Sequence, residues 1–338
     1  MKPIERLLLL LVAAAALAGL AMTFTSGATS EHDVLAETAA DAAGPGLDPA
    51  LATALAASME QLFGGYKQPK LPEGGMPGVT SEQELRSGRS GYAVKCTQCH
   101  GVTGAADTGT AALLKPRPRS FRLGKIKFTS TAAGQPPVLA DLERVIRDGV
   151  PTTSMAGFPT LPENARRELA GYAQYLLMRG ATELAALKRI EAGGLAAEQM
   201  SAVVAEEYAA VRAAWAAAVP ADPPIPETPR GDAAHARAEE LFAESACLSC
   251  HGADGSGKGP VAFAGGKWLL RDEWGDEARP RAFSEGRWFG GSAPEDLYRR
   301  IAFGVKGTPM PPLAGALAPE EIWALVHYVQ DFAKEGQR

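Results

Sequence analysis

Two five-residue stretches carry the most reactive side chains of this chain: Cys96-Thr97-Gln98-Cys99-His100 and Cys247-Leu248-Ser249-Cys250-His251. They use all 4 cysteines of the sequence. On one helical turn, positions i, i+3 and i+4 share a face. Each pair of thiols can therefore meet one flat partner while the neighbouring imidazole points at its centre. Two thioether bonds to a porphyrin and one axial nitrogen satisfy that geometry, and Cys-x-x-Cys-His is the signature of c-type haem attachment. Other uses of paired cysteines fit less well. A single zinc site would have to gather pairs that stand 151 positions apart, each followed at once by histidine. A thiol redox pair calls for a βαβ setting, and none is visible.

A haem iron held by one histidine takes a second axial ligand or keeps an open site. Met310 lies 59 residues after His251, in Gly307-Thr308-Pro309-Met310-Pro311, a turn stiffened by proline on both sides. Met155 lies 55 residues after His100, in Pro151-Thr152-Thr153-Ser154-Met155. Lone methionines usually fill gaps in a core. These two sit in polar turns and at equivalent points of a repeat, so the expected iron ligands are His100 with Met155 and His251 with Met310. Histidine–methionine ligation raises the potential and leaves no position on iron for a substrate.

The elements that must position these residues occur twice. Each copy opens with Cys-x-x-Cys-His-Gly and continues to Arg-Pro-Arg-x-Phe, at 117–121 and 279–283. Asp141-Leu142-Glu143-Arg144-Val145-Ile146 and Asp296-Leu297-Tyr298-Arg299-Arg300-Ile301 follow. A Gly-Val pair, the methionine turn and a closing helix with tyrosine (Tyr172 and Tyr175; Tyr328) complete both copies. Six features in one order make the chain a tandem of one domain type. A length of 338 residues agrees, at about 150 residues per domain. The expected organisation is a leader at 1–28, an Ala/Gly/Pro-rich segment at 29–84 and a first domain at 85–189. A helix plus Pro-rich linker at 190–230 then leads to a second domain at 231–338. Within the flanking segments the spacing predicts a helix over 48–63, ended by Gly64 and Gly65. A second helix is expected after 190, with Met200, Val203, Val204, Tyr208, Val211 and Trp215 as its apolar stripe.

Lys2 and Arg6 precede an apolar run over 7–22 and a small polar stretch, the layout of an export signal or of a retained single anchor. Either way the bulk of the chain is exported. A net charge of −5 gives no basic field for nucleic acid. The charge is uneven: 16 basic against 7 acidic side chains over 85–189, and 12 against 16 over 231–338. Such patches speed encounter with transient partners. His32 and His235 sit in polar stretches and read as exposed, and His327 as an ordinary helix histidine. Trp268, Trp274 and Trp288 read as packing residues or as the lining of a haem crevice. The arginines of Arg-Pro-Arg-x-Phe are candidates to pair with haem propionates.

On these motifs the chain resembles a dihaem member of the class I cytochrome c family, with two fused domains covering 85–189 and 231–338. The resemblance implies an all-α fold: two tandem cytochrome c-like helical domains, each wrapped around a covalent haem c, with extra helices at the N-terminus and between the domains. It implies one-electron transfer through Cys96, Cys99, His100, Met155, Cys247, Cys250, His251 and Met310. The partners would be redox proteins of the periplasm or the cytoplasmic membrane. In this family a proline after the motif accepts the bond from the ligand histidine's other nitrogen. Pro260 fits that role; in the first domain no proline stands at that distance, Pro116 lying later. Two other functions stay open: a dihaem peroxidase, which needs an openable iron site and an acid/base residue, and the electron-transfer subunit of a larger membrane oxidoreductase.

Overall fold

The carboxylate of Asp48 starts the first helix by accepting the N–H groups of Ala50 and Leu51 at 2.7 and 3.3 Å, and Pro49 has no N–H to leave unpaired. The computed structural model describes residues 47–335 except 246 and 287, so the leader and His32 lie outside it. Helix α1 (Pro49–Phe63) ends at Gly64, as the glycine pair predicts. Those glycines also pair with Gln68–Pro69 in a small hairpin, β1 and β2, which the sequence reading did not anticipate. Then come α2 (Glu82–Lys95), α3 (Thr97–His100), α4 (Gly109–Leu113), α5 (Leu139–Asp148), α6 (Glu163–Glu191) and α7 (Met200–Ala217). The second half holds α8 (Asp232–Glu244), α9 (Cys247–His251), the hairpin β3–β4 (Phe263–Ala264 with Lys267–Trp268), α10 (Pro294–Phe303) and α11 (Pro319–Glu335). The architecture is mostly helical, in two tandem repeats: α2, α3, α5 and α6 recur as α8, α9, α10 and α11. Among the described residues no helix is long and apolar enough to cross a membrane.

Helix α6 is the spine of the first half. The predicted stripe of α7 (Met200, Val203, Val204, Tyr208, Trp215) is buried in the same core as Leu55, Met59 and Phe63 of α1 and Tyr172 and Tyr175 of α6. The two additional helices therefore brace the first domain. Buried Arg179 of α6 donates to Gly64 O at 2.6 Å and to the Tyr175 hydroxyl at 2.7 Å, and lies over the Tyr66 ring. The core of the second half is smaller, built from Leu241, Phe242, Leu325 and Val329 with Leu297, Tyr298, Trp323 and Val326. The Pro-rich linker runs along this half: Trp323 Nε1 donates to Ile225 O at 3.2 Å and His327 Nε2 meets Glu227 at 2.8 Å. His327 is thus a helix histidine with a linker partner.

The uneven charge is partly used between the repeats. Arg119 donates to Asp272 at 2.8 Å and to Asp276 at 3.0 Å, and Lys127 reaches Asp272 at 2.7 Å. Lys125 pairs with Glu273. Arg144 and Arg300, one from each repeat, both donate to Gly290 O at 2.7 Å. The Asp272 side chain is fully buried. Burial alone would push its carboxyl up; the hydrogen bond from Lys127 and the charges of Lys127 and Arg119 outweigh that and hold it below the ordinary carboxylate range. Such a group stabilises the fold above its unfolded pKa, and the contribution fades as the pH falls through its folded one.

Two measurements check this packing. Gly88 of α2 touches α6 so closely that a Cβ there would sit 1.9 Å from Glu168 O. Gly88→Ala should therefore cost about 1–3 kcal/mol in chemical unfolding, although alanine is the better helix former. Asp272→Asn should cost about 3 kcal/mol at pH 7, because it takes the carboxylate from Lys127 and leaves Arg119 with Asp276 alone. The difference from wild type should begin to shrink at about pH 4, where the unfolded carboxyl takes up its proton, and should fade as the pH drops through the lower folded pKa.

Candidate functional site

Helix α2 delivers the first motif. The Cys96 N–H still bonds to Tyr92 O, and Cys99 N and His100 N both return to Cys96 O, at 3.1 and 2.8 Å. Cys96, Cys99 and His100 therefore occupy one turn, as the spacing requires. In the second repeat α9 carries Cys247, Cys250 and His251 on one turn in the same way. No disulfide joins either pair. Burial pushes the Cys96 thiol up to about 11 and raises Cys247 as well. Thiols held protonated make poor redox nucleophiles. Among the described residues no three His, Cys, Asp or Glu side chains gather as a metal site.

The two histidines are held alike. His100 Nδ1 lies 3.1 Å from Arg119 O, and His251 Nδ1 lies 3.1 Å from Arg281 O. A carbonyl only accepts, so Nδ1 carries the proton and Nε2 keeps its lone pair. Desolvation pushes both imidazoles below their ordinary pKa, more than the carbonyl bond raises them. Each is therefore a neutral nitrogen donor near pH 7. Phe121 stacks on His100 at 4.8 Å and 14°, and Phe283 on His251 at 4.4 Å and 16°. Those rings are placed by matching backbone bonds, Phe121 N to Gly104 O and Phe283 N to Gly255 O, each 2.7 Å. Trp288 extends the stack behind Phe283 at 5.6 Å.

These partners correct the expectation for Pro260: the carbonyl that receives the His251 proton belongs to Arg281. The residue is the third of Arg-Pro-Arg-x-Phe in both repeats, which is why the first repeat needs no proline near the motif. The signal was present in the repeated element, but its role lies in the backbone and the phenylalanine. The arginine side chains have partners within the protein. Arg119 is held at the domain contact, Arg117 reaches Ala106 O at 3.4 Å, Arg279 pairs with Glu277, and Arg281 pairs with Glu285.

Met155 and Met310 sit in loops of one construction. Gly149 and Gly304 both turn the chain at φ 69, where an L side chain is strained. Val150 N then bonds to Met155 O at 3.0 Å, and Val305 N to Met310 O at 3.3 Å. The Thr153 hydroxyl donates to Val150 O and accepts from Met155 N, at 2.8 and 3.1 Å; Thr308 does the same at 2.7 and 3.3 Å. The loop is Gly-Val-x-x-Thr-x-Met, and the threonine rather than a flanking proline ties it. The donor set of each repeat, two thiols and a neutral imidazole on one turn, fits a covalent haem.

The sequence profile described as cytochrome c oxidase, cbb3-type, subunit III matches residues 83–172 and 233–329, one segment in each repeat. A chain of the reducing HAO-like protein complex of Kuenenia stuttgartiensis is similar in structure, with a TM-score of 0.57 and 27% identity. The similarity covers 76% of this chain and 98% of that one. No curated protein matches.

Replacing Thr153 or Thr308 by valine keeps the shape and removes the hydroxyl. Each change should cost about 1–2 kcal/mol in chemical unfolding, and the serine variants should recover most of it.

Proposed function

The chain belongs to the family of cbb3-type cytochrome c oxidase subunit III, and from that membership we propose an exported dihaem c-type cytochrome that passes single electrons between redox partners. Cytochrome c domains imply electron transfer with covalent haem. In this reading Cys96, Cys99, His100 and Met155 would hold one haem. Cys247, Cys250, His251 and Met310 would hold the other. One observation carries the reading: the histidine–carbonyl–phenylalanine arrangement and the threonine-tied methionine loop each occur twice.

Bound haem supplies reversible one-electron chemistry at iron. The chain supplies the setting. Arg119 O and Arg281 O fix the tautomer and direction of each imidazole. Phe121 and Phe283 cover a face of each ring and keep its Nδ1 bond dry. The methionine loops hold a soft sulfur in a turn with little freedom. A thioether held together with an imidazole would raise the potential and leave no site for a peroxide.

The chain would work in the periplasm or at the outer face of the cytoplasmic membrane, soluble or tethered by its leader. Membership in a larger redox assembly is a second reading, favoured because the structural neighbour comes from a protein complex. Co-purification with partner subunits separates the two.

The ligand assignment is tested with Met155→Ala and Met310→Ala. Wild type should bind no carbon monoxide at either ferrous haem. Each variant should gain one carbon-monoxide-binding, high-spin haem and a lower potential at that haem alone. Carbon monoxide binding by wild type would remove a methionine from the ligand set and favour the peroxidase reading.

A further inference from the structure

The contact between the repeats has a feature that ion pairing does not require. The Trp274 indole lies between the histidine support of the first repeat and the methionine loop of the second. Its Nε1 donates to Ser120 O at 2.9 Å, and Ser120 is joined by a peptide bond to Arg119, whose carbonyl takes the His100 proton. The other edge of the ring packs on Gly307, three residues before Met310, in the space a side chain there would fill: a Cβ at Gly307 would be 2.4 Å from the ring. The Glu273 N–H bonds to Gly307 O at 2.9 Å and locks that approach. Arg119 and Lys127 lie over the ring at 5.1 and 5.7 Å. Trp274 itself is fixed by its N–H to Asp272 Oδ1, at 3.0 Å.

The reciprocal contact exists but is made differently. Arg281, whose carbonyl supports His251, donates to the Thr152 hydroxyl at 3.3 Å, and Thr152 stands three residues before Met155. That route runs the length of a saturated arginine side chain. The Trp274 route runs through two hydrogen bonds, the Arg119–Ser120 backbone and a conjugated ring, and crosses to the Met310 loop at one van der Waals contact with Gly307.

We propose that Trp274 is the electronic bridge between the two redox centres, linking the His100 side of one to the Met310 side of the other. The inference rests on the two-haem reading above. With a haem held in each repeat, the exchange would balance as one electron lost by one group and gained by the other. No bond forms or breaks, and Trp274 keeps its electrons and its Nε1 proton. Electronic coupling falls less steeply through bonds than across gaps, so removing the bridge slows transfer without changing its driving force.

The test uses the full-length holoprotein. Absorption spectra and a redox titration first count the centres; a single centre in wild type defeats the two-haem reading and the bridge with it. Intramolecular transfer is then followed after flash photoreduction, with both potentials measured by spectroelectrochemistry. Trp274→Phe keeps a ring and loses the Nε1 bond; Trp274→Leu loses both. Transfer should slow several-fold in the first and further in the second, with potentials and axial-ligand spectra unchanged. Trp268→Phe, in the β3–β4 hairpin, should transfer at the wild-type rate. Asp276→Asn loosens the Arg119 ion pair while sparing the indole, and it too should stay near wild type. The indole N–H of Trp274 should be protected from hydrogen exchange in the oxidised protein by NMR, a readout that needs no electron transfer. A wild-type rate in both Trp274 variants, or equal slowing in Asp276→Asn, would overturn the bridge and leave the domain contact as scaffolding only.

Discussion

A backbone carbonyl has lone pairs and no proton, so an imidazole that meets it must present Nδ1–H and keep Nε2 free. That single constraint, His100 on Arg119 O and His251 on Arg281 O, organises most of the molecule. It requires the segment carrying Arg-Pro-Arg-x-Phe to lie beside the one-turn helix with the cysteines. That segment in turn needs glycine turns, at Gly104 and Gly255, to accept the backbone N–H of its phenylalanine. Long helices then close over the assembly: α6 in the first repeat and α11 in the second. A neutral, oriented nitrogen donor is what remains at the centre.

The repeats share this device and differ in what surrounds it. The first has α1 and α7 packed on α6 and a buried arginine tying them to the hairpin at Gly64. The second has a smaller core, a hairpin of its own and the acidic segment around Asp272. That segment neutralises part of the cationic surface of the first repeat. Charge that reads in the sequence as a docking feature thus also joins the two halves. Because Asp272 is enclosed with Arg119 and Lys127, removing its charge leaves Lys127 without a carboxylate partner.

Much of this was legible from residue spacing. Both attachment motifs, the internal repeat, the helix over 48–63 and the apolar stripe of α7 follow from periodicity and local chemistry. What could not be read depends on backbone atoms and on contacts distant in sequence. The acceptors of the two imidazoles are main-chain oxygens 19 and 30 positions away, and a carbonyl leaves no trace in residue type. The arginine side chains have other partners, and the acceptor is the carbonyl of the same residue. Thr153 and Thr308 were visible as a shared letter two positions before each methionine, but prolines were the more familiar sign of a rigid turn. The Trp274 contact joins residues 154 apart, beyond any local pattern.

The central claim is that each repeat holds one covalent haem between a histidine and a methionine. The most direct test is the haem content of the purified chain together with the electron paramagnetic resonance spectrum of its ferric form. Two haems that stay attached under denaturing conditions and two low-spin signals of histidine–methionine type are the expected result. One haem per chain, or a high-spin signal from either iron in the wild-type protein, would contradict it.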